Sequence, residues 1–355
     1  MMIDRNAAAP IGVTLLLSLG AAVPMPAQSQ DERCSAAAVA DTLADVFQAR
    51  YVLPGPAADG AGALRRLPWS GGPTTGEPEL RQLADSLTRV LRSSTGDGHV
   101  MVEWVGRRDR PAAEADWIAR WKAGAPRTNY GVLKVEVLPG NVGYLALRSF
   151  HTYADAAPTL RAAMTLVRHT DGLILDLRQN GGGDDVTARA VGLTFLPPGT
   201  DWPLRTETRG GRDPAAAVPA LEWDHYAPER PLAVLVDGRS FSAPEAVTFV
   251  LAHARRAVVI GTRSAGGAHM FDDATPLPCG LQAWIPDRRP VHVQSGTNWE
   301  GTGVAPNVEA TGASAVPAAH VHLLRLIRAR STDPERQREL DRIIAESEPS
   351  VTDRR

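Results

Sequence analysis

Lysine is almost missing from this chain: of its 38 basic side chains, only Lys122 and Lys134 are lysines. Any chemistry that needs a lysine base must therefore draw on one of these two. Cysteine is just as scarce. Two residues, Cys34 and Cys279, exclude a disulfide scaffold, a paired-CxxC zinc module and an iron–sulfur site. Charge of one sign is not in excess, because 40 acidic side chains leave a formal net charge of −2. With no Lys/Arg block either, a strongly basic nucleic-acid binder is excluded. Outside the first 30 residues no apolar run reaches the ~18 residues of a spanning helix, which excludes a multi-pass membrane protein. Internal repeats, an HExxH zinc motif, a GK[ST] phosphate loop and a GxGxxG dinucleotide loop are all missing.

What is present is enough for a sizeable core. The chain has 355 residues, 43% of them apolar, and this length allows one large domain or two modest ones. Arg5 precedes an apolar stretch from Ala7 to Val23, and Pro24, Pro26 and Ala27 follow. This predicts a secretory leader over residues 1–27, cut after Ala27, with a membrane anchor as the alternative. An exported chain would work in a periplasmic or extracellular space. There Cys34 and Cys279 either pair or remain two thiols, and the sequence leaves both open.

Apolar spacing predicts helices over 35–50 and 79–92, separated by a Gly/Pro-rich break. A short strand is expected from Val100 to Val105. Beyond residue 130 the pattern changes. Two strands flank the turn at Pro139-Gly140-Asn141, and continuous apolar runs at 172–177, 232–237 and 257–261 read as strands buried on both faces. Helices are expected over 154–169, 184–196, 243–254, 319–330 and 334–347. Strands alternating with helices predict an α/β core with a largely parallel sheet.

Four segments carry candidate chemistry. In PLAVLVDGRSFSAPEAVTFV (231–250), Ser242 stands where a buried strand turns into a helix. A hydroxyl there is near free helix N–H groups that can stabilise an oxyanion, or it is a plain N-cap with Glu245 completing a capping box. In DLRQNGGGDD (176–185), three glycines let the backbone approach a ligand, or simply make a turn. In GDGHV (96–100), His99 is held between glycine and a strand as a positioned base or as a surface histidine. In SGTNWEGTGVAP (295–306), Glu300 could orient an imidazole or be an ordinary loop carboxylate.

Together, and in this order, these segments resemble the tail-specific, or C-terminal processing, serine proteases, a family that includes the tricorn core protease and the interphotoreceptor retinoid-binding protein. Ser-Ala-Pro-Glu at 242–245 matches the family's Ser-Ala-x-Glu, which implies that Ser242 is the nucleophile. Bacterial members place a general-base lysine in a later glycine-rich loop. The matching position here is Gly267 in GTRSAGGAHM, and neither lysine is near it. The tricorn-like branch uses a histidine from the early loop and a glutamate near the end, where His99 and Glu300 stand. His269, just after Gly266-Gly267, is the second choice for the base. The stretch between His99 and Gly140 is too short for the PDZ domain of the processing proteases, as in the retinoid-binding modules.

The resemblance implies an α/β fold: a ClpP/crotonase-like mixed core with a largely parallel sheet, preceded by a small helical N-terminal domain. The implied division is 1–27 leader, 28–95 helical domain, 96–330 catalytic core and 331–355 C-terminal helix and tail. It implies a secreted serine peptidase acting on a peptide or protein substrate through Ser242, His99 and Glu300. The oxyanion hole would be the N–H groups of Gly182 and Ala243. No cofactor, metal or nucleic-acid partner is implied, and no membrane span remains once the leader is removed. The alternative is a non-catalytic module of the same fold that binds a retinoid- or lipid-like hydrophobic ligand. Trp284 and Trp299 would then line a pocket or pack in the core.

Overall fold

The computed structural model describes residues 34–69, 74, 76–106, 119–213, 220–271 and 273–347. The expected leader and the last eight residues of the tail lie outside the described residues.

Three helices come first among the described residues: α1 (Ala36–Arg50), α2 (Pro54–Arg66) and α3 (Glu77–Thr95). Ser35 caps α1, its hydroxyl accepting the Ala38 N–H at 3.2 Å. Val39, Leu43 and Phe47 follow at helical spacing and are fully buried. Leu80, Leu83, Leu87 and Leu91 do the same on α3. Gly96 ends α3 in the left-handed region, φ +72°, with its N–H on the Arg92 carbonyl. That stop throws the chain directly into Asp97-Gly98-His99.

These helices bury their apolar faces against a small antiparallel sheet. It has the order β1 (Met101–Trp104), β10 (Leu281–Trp284), β9 (Thr275–Pro276). Val100, Val102, Leu277, Leu281, Ala283 and Ile285 share one core with α1–α3. The helical unit expected over 28–95 is therefore completed by strands from two distant segments. Cys34 and Cys279 form a disulfide that ties the start of this unit to the β9–β10 connection, resolving the alternative the sequence left open.

The main sheet has six strands in the order β12 (Val308–Glu309), β8 (Val258–Gly261), β7 (Leu232–Val236), β4 (Gly172–Asp176), β3 (Val142–Leu147), β2 (Val132–Leu138). All neighbours are parallel except β2 and β3, which form the hairpin across Pro139–Asn141. Alternation sorts the strand residues onto two faces. Leu173, Leu175, Val234 and Val236 meet α4 (Tyr153–Val167), α5 (Asp185–Thr194) and α6 (Ala243–His253) on one side. Ile174, Ala233, Leu235 and Ile260 meet α7 (Ala315–Arg330) and α8 (Pro334–Ser347) on the other. Both faces being covered is why these strands read as unbroken apolar runs. A third sheet, β11 (Arg288–His292), β5 (Leu204–Thr208), β6 (Gly211–Asp213), lies apart from it. The loops after β4, β7 and β8 leave from the carboxyl ends of parallel strands, the usual place for a site in such a sheet.

Candidate active site

The turn after β7 is fixed before it reaches Ser242. Asp237 Oδ1 accepts the N–H groups of Arg239 and, from the β4 loop, Gln179, each at 2.9 Å. Ser240 Oγ donates to the Leu177 carbonyl at 2.8 Å, and the Phe241 N–H donates to the Asn180 carbonyl at 3.0 Å. Ser242 itself sits at φ +70°, ψ −115°, a region a non-glycine residue enters only under strain. A sharp strand-to-helix turn of this kind lifts a side chain clear of the sheet end. Ser242 stands at the N-cap of a capping box, whose Glu245 carboxylate takes the Ser242 N–H at 2.8 Å. The Glu245 N–H goes to the Ser242 carbonyl at 2.9 Å. The half-buried hydroxyl stands at the N-terminus of α6.

Glu245 does more than close a capping box. Its carboxylate is fully buried and accepts four hydrogen bonds. Oε2 takes the Ser242 N–H at 2.8 Å and the Gly267 N–H at 2.9 Å, while Oε1 takes the Ser264 hydroxyl and the Gly266 N–H, each at 2.6 Å. It thereby fastens the Ser242 turn to the loop after β8. Burial pushes its carboxyl above the usual range, against the lowering pull of those bonds.

The glycine loop after β4 touches this turn. Asn180 shapes it, donating to the Leu147 carbonyl at 3.1 Å and accepting the Gly182 N–H at 2.9 Å. Gly182 has φ +108°, and a Cβ there would stand 3.1 Å from Ser242 Cβ and 3.0 Å from the Phe241 carbonyl. Glycine is required for that approach. The expectation that Gly182 donates its N–H to an oxyanion needs correction, because that N–H is already given to Asn180. Gly183 forms the bridge with Phe150, whose N–H and carbonyl bond to Gly182 O and Asp184 N. In such a bridge the N–H of Gly183 points away from Phe150. The Ala243 N–H, in the first turn of α6, has no acceptor within the helix.

His99 lies on the other side of Phe241. The two rings pack with centroids 4.3 Å apart, and Phe271 meets the imidazole edge-on at 6.0 Å. The loop after β8 closes over them. A Cβ at Gly267 would overlap the Phe241 ring and come within 2.8 Å of His99 Cε1. The space a side chain at 267 would need is thus filled by Phe241 and His99, which accounts for the missing lysine. The His99 side chain is 10% exposed, and burial pushes it down to about 4 despite the opposing pull of Asp97. Its Nδ1 is buried without a partner, as is Glu300 Oε1.

Glu300 is fixed by its other oxygen, which accepts the N–H groups of Ala268 at 2.6 Å and His269 at 2.9 Å. Burial, with the charge of Asp97 adding to it, pushes the Glu300 carboxyl above the usual range. An oxygen of Glu300, an oxygen of Asp97 and a nitrogen of His99 lie within 4.8 Å of one another. A divalent cation could use such a set, but Asp97 already accepts three hydrogen bonds, so the groups are matched to one another. Asp97 is fully buried and accepts from His99 N–H at 2.8 Å, His269 Nδ1 at 2.7 Å and the Tyr51 hydroxyl at 3.0 Å. Burial works to raise its carboxyl, but His269 outweighs that and holds it below the usual range.

The structure therefore brings His99 and Glu300 into one cluster and sets it beside Ser242 through Phe241. It forms no hydrogen bond between Ser242 and His99 among the described residues. Sequence reasoning passed over Asp97, Tyr51 and Asn180, and gave His269 only as a second base. Trp299 is a core residue, 2% exposed, with its Nε1 donating to the Gly267 carbonyl at 2.7 Å. Trp284 is partly exposed, packs on Phe271 at 5.0 Å and donates to Glu103 at 2.7 Å.

Residues 141–310 match the model of peptidase family S41. The carboxy-terminal-processing protease of Bartonella bacilliformis is 31% identical over 175 residues, covering 48% of this chain and 38% of that protein. The chloroplastic carboxyl-terminal-processing peptidase 1 of Arabidopsis thaliana is 30% identical over 138 residues, covering 39% and 27%. The chain thus spans well under half the length of either relative. Among solved structures, a putative peptidase from Parabacteroides merdae superposes with a TM-score of 0.57 at 20% identity, over 82% of this chain and 97% of that one. A lipoprotein from Streptococcus agalactiae gives 0.55 at 14%, over the same shares. At those identities the two structures establish the shared fold.

Proposed function

We propose that this chain, whose residues 141–310 match the model of peptidase family S41, is an exported serine peptidase that cleaves peptide bonds through an acyl-enzyme. The observation that carries the reading is Ser242. Its half-buried hydroxyl stands on a strained turn at a helix N-terminus, next to the ring that packs on His99. In the reaction Ser242 Oγ attacks the scissile carbonyl and His99 takes its proton, later passing it to the leaving amine. Glu300, in the same cluster as His99 and Asp97, steadies the imidazolium, with Asp97 Oδ1 3.9 Å from His99 Nδ1. The oxyanion is held by the N–H of Ala243 and that of Gly183, which replaces Gly182 in this role. The contact between Ser242 and His99 forms when substrate arrives, since catalytic hydrogen bonds are often loose in an empty site. His99 is neutral at pH 7, as a base must be.

Export is supported by the Cys34–Cys279 disulfide, which belongs to an oxidising compartment. Among the described residues no helix is long and apolar enough to cross a membrane.

The test is a fluorophosphonate probe with a panel of peptide substrates. Wild type should be labelled and should turn over peptide. Ser242→Ala should be unlabelled and lose on the order of 10⁴- to 10⁶-fold in turnover. Equal labelling of both proteins would move the nucleophile elsewhere. If wild type neither labels nor cleaves but holds a fluorescent apolar ligand, the hydrophobic-binding module takes the place of the peptidase.

A further inference from the structure

We propose that Asp97 and His269 are a positioning pair that sets His99 and Glu300 in working register, with Tyr51 anchoring the pair to the N-terminal helices. The inference rests on the peptidase reading above for its kinetic consequences, but not for its structural ones.

Three segments far apart in sequence have to be brought into line: the turn after α3 with His99, the loop after β8, and the loop with Glu300. One side-chain contact joins them. His269 Nδ1 lies 2.7 Å from Asp97 Oδ2, across 172 positions of sequence. On one side of that contact, Asp97 Oδ1 holds the His99 N–H at 2.8 Å and so fixes the residue that carries the imidazole. On the other, the His269 backbone N–H holds Glu300 Oε2 at 2.9 Å. The same residue thus grips both partners of the imidazole, one through its ring and one through its main chain. His269 is 2% exposed and Asp97 fully buried, so water does not compete for either bond.

Charge gives a second reason for the pair. Asp97 and Glu300 place oxygens within 4.8 Å of each other and of a His99 nitrogen. Two carboxylates that close raise one another's affinity for a proton. His269 Nδ1 lies between them, 2.7 Å from Asp97 and 3.8 Å from Glu300, and offsets that repulsion. The remaining groups that face the cluster are the Tyr51 phenol and the Arg92 guanidinium. Burial and Asp97 push Tyr51 upward, so it stays a neutral donor. Its hydroxyl bonds to Asp97 at 3.0 Å and lies 3.3 Å from His269 Nδ1. Tyr51 is the residue that ends α1, which makes the helical unit part of the site's support.

With Nδ1 committed to Asp97, the ring of His269 has the geometry of a held imidazole, and the pair imitates the lower half of a triad. The experiment must separate a support from a second base. Two variants do so. His269→Asn keeps an N–H donor near the position of Nδ1 but removes the ring and any charge. His269→Leu removes the donor as well. Circular dichroism and thermal melts select folded protein, with His269→Asn as the variant of record if His269→Leu does not fold. The primary readout needs no catalysis: the ring resonances of His99 are titrated by NMR. A protonated His269 lowers the proton affinity of both His99 and Glu300. Both groups must be deprotonated to work, so removing His269 should raise the His99 midpoint and move the acid limb of kcat upward, by at least ~0.5 pH unit. His269→Asn should retain kcat within ~10-fold, and His269→Leu should lose ~10²-fold or more, with KM nearly unchanged in each. An unmoved His99 midpoint in folded His269→Asn overturns the pair. A loss in His269→Asn as deep as that of Ser242→Ala also overturns it, because His269 would then be the base. If wild type shows no turnover or labelling, the peptidase reading fails alone, and the NMR midpoint still decides the pair.

Discussion

Glu245 offers the sharpest check on how the site is built. Its two oxygens satisfy four buried donors, on Ser242, Ser264, Gly266 and Gly267. In Glu245→Gln one oxygen becomes an amide NH₂. If that NH₂ faces the Ser242 and Gly267 N–H groups, two buried donors are left without acceptors, at roughly 1–3 kcal/mol each. If it faces Ser264 and Gly266, the Ser264 hydroxyl, which already accepts the Val304 N–H at 2.7 Å, can accept the amide as well. Its own proton and the Gly266 N–H then lose their carboxylate acceptor, but the Ser242 and Gly267 bonds are kept. The cheaper arrangement wins, and it is lowered further by removing a charge whose burial is itself unfavourable. A net loss of about 2 kcal/mol follows for the amide. Glu245→Ala should cost more, since all four donors lose their partner and a cavity is added.

The assay is urea unfolding with the slope m compared between proteins, so that a change of midpoint is read as stability alone. Function separates the two variants again. The cheaper Gln arrangement leaves the Ser242 N–H bound, so fluorophosphonate labelling should slow less than ~10-fold. The Ala variant frees the strained turn and should slow well beyond that. If Glu245→Gln unfolds at the wild-type midpoint or above it with m unchanged, the buried charge costs as much as its hydrogen bonds return. The clamp would then have to be abandoned as a source of stability.

Gly267→Ala should slow labelling at least ~10-fold with little change in melting temperature, because its Cβ would displace the Phe241 ring and press on His99 rather than open the core. His99 is held near a pKa of about 4 in the folded chain against 6.5 in the unfolded one. The unfolded state therefore binds the extra proton, and stability should fall as pH drops from 6.5 toward 4. His99→Gln should flatten that part of the curve in urea melts at pH 7 and 5, and an unchanged slope would refute the burial of a neutral ring. Activity of the wild type should likewise hold down to about pH 4 to 5 before its acid limb. Replacing Cys34 and Cys279 by serine, or reducing the disulfide, should destabilise by ~2–5 kcal/mol, and a melt that does not move would show the bond to be dispensable.

The central sheet was legible because each of its inner strands is covered on both faces. GLILD, LAVLV and VVIG could hardly be anything but buried strands. The two smaller sheets were not legible. β1, β5, β10 and β11 carry charged and polar residues among the apolar ones, and the β1–β10 and β5–β11 ladders join residues 80 or more positions apart, with only the short β9–β10 and β5–β6 pairings local. At the site, local sequence placed Ser242 at a strand-to-helix junction. It could not decide between cap and nucleophile, because that turns on φ +70° and on where the Glu245 N–H goes. The assignment of Gly182 failed for a related reason. Three glycines in a row announce a close approach, but which N–H is free depends on the side chain of Asn180. Asp97 was invisible as a partner of His269 for want of any local signal, although an aspartate two residues before a loop histidine, with its own N–H on Thr95, is a familiar turn device.

The choice of base explains why the support around it is so extended. A lysine at position 267 would ride on the loop already clamped to Ser242 by Glu245, so nucleophile and base would share one local frame. With glycine there, a base at residue 99, as proposed, would have no strand connection to that frame. Its position relative to Ser242 is then set by everything between α3 and the main sheet. That includes the turn capped at Gly96, the pairing of β1 with β10, the disulfide that ties the β9–β10 connection to the start of α1, and the Tyr51–Asp97–His269 contacts. A misplacement of about 1 Å can cost on the order of 10²-fold in rate. Under the proposed His99 base, the N-terminal helices become part of the catalytic support, which a lysine at 267 would not require.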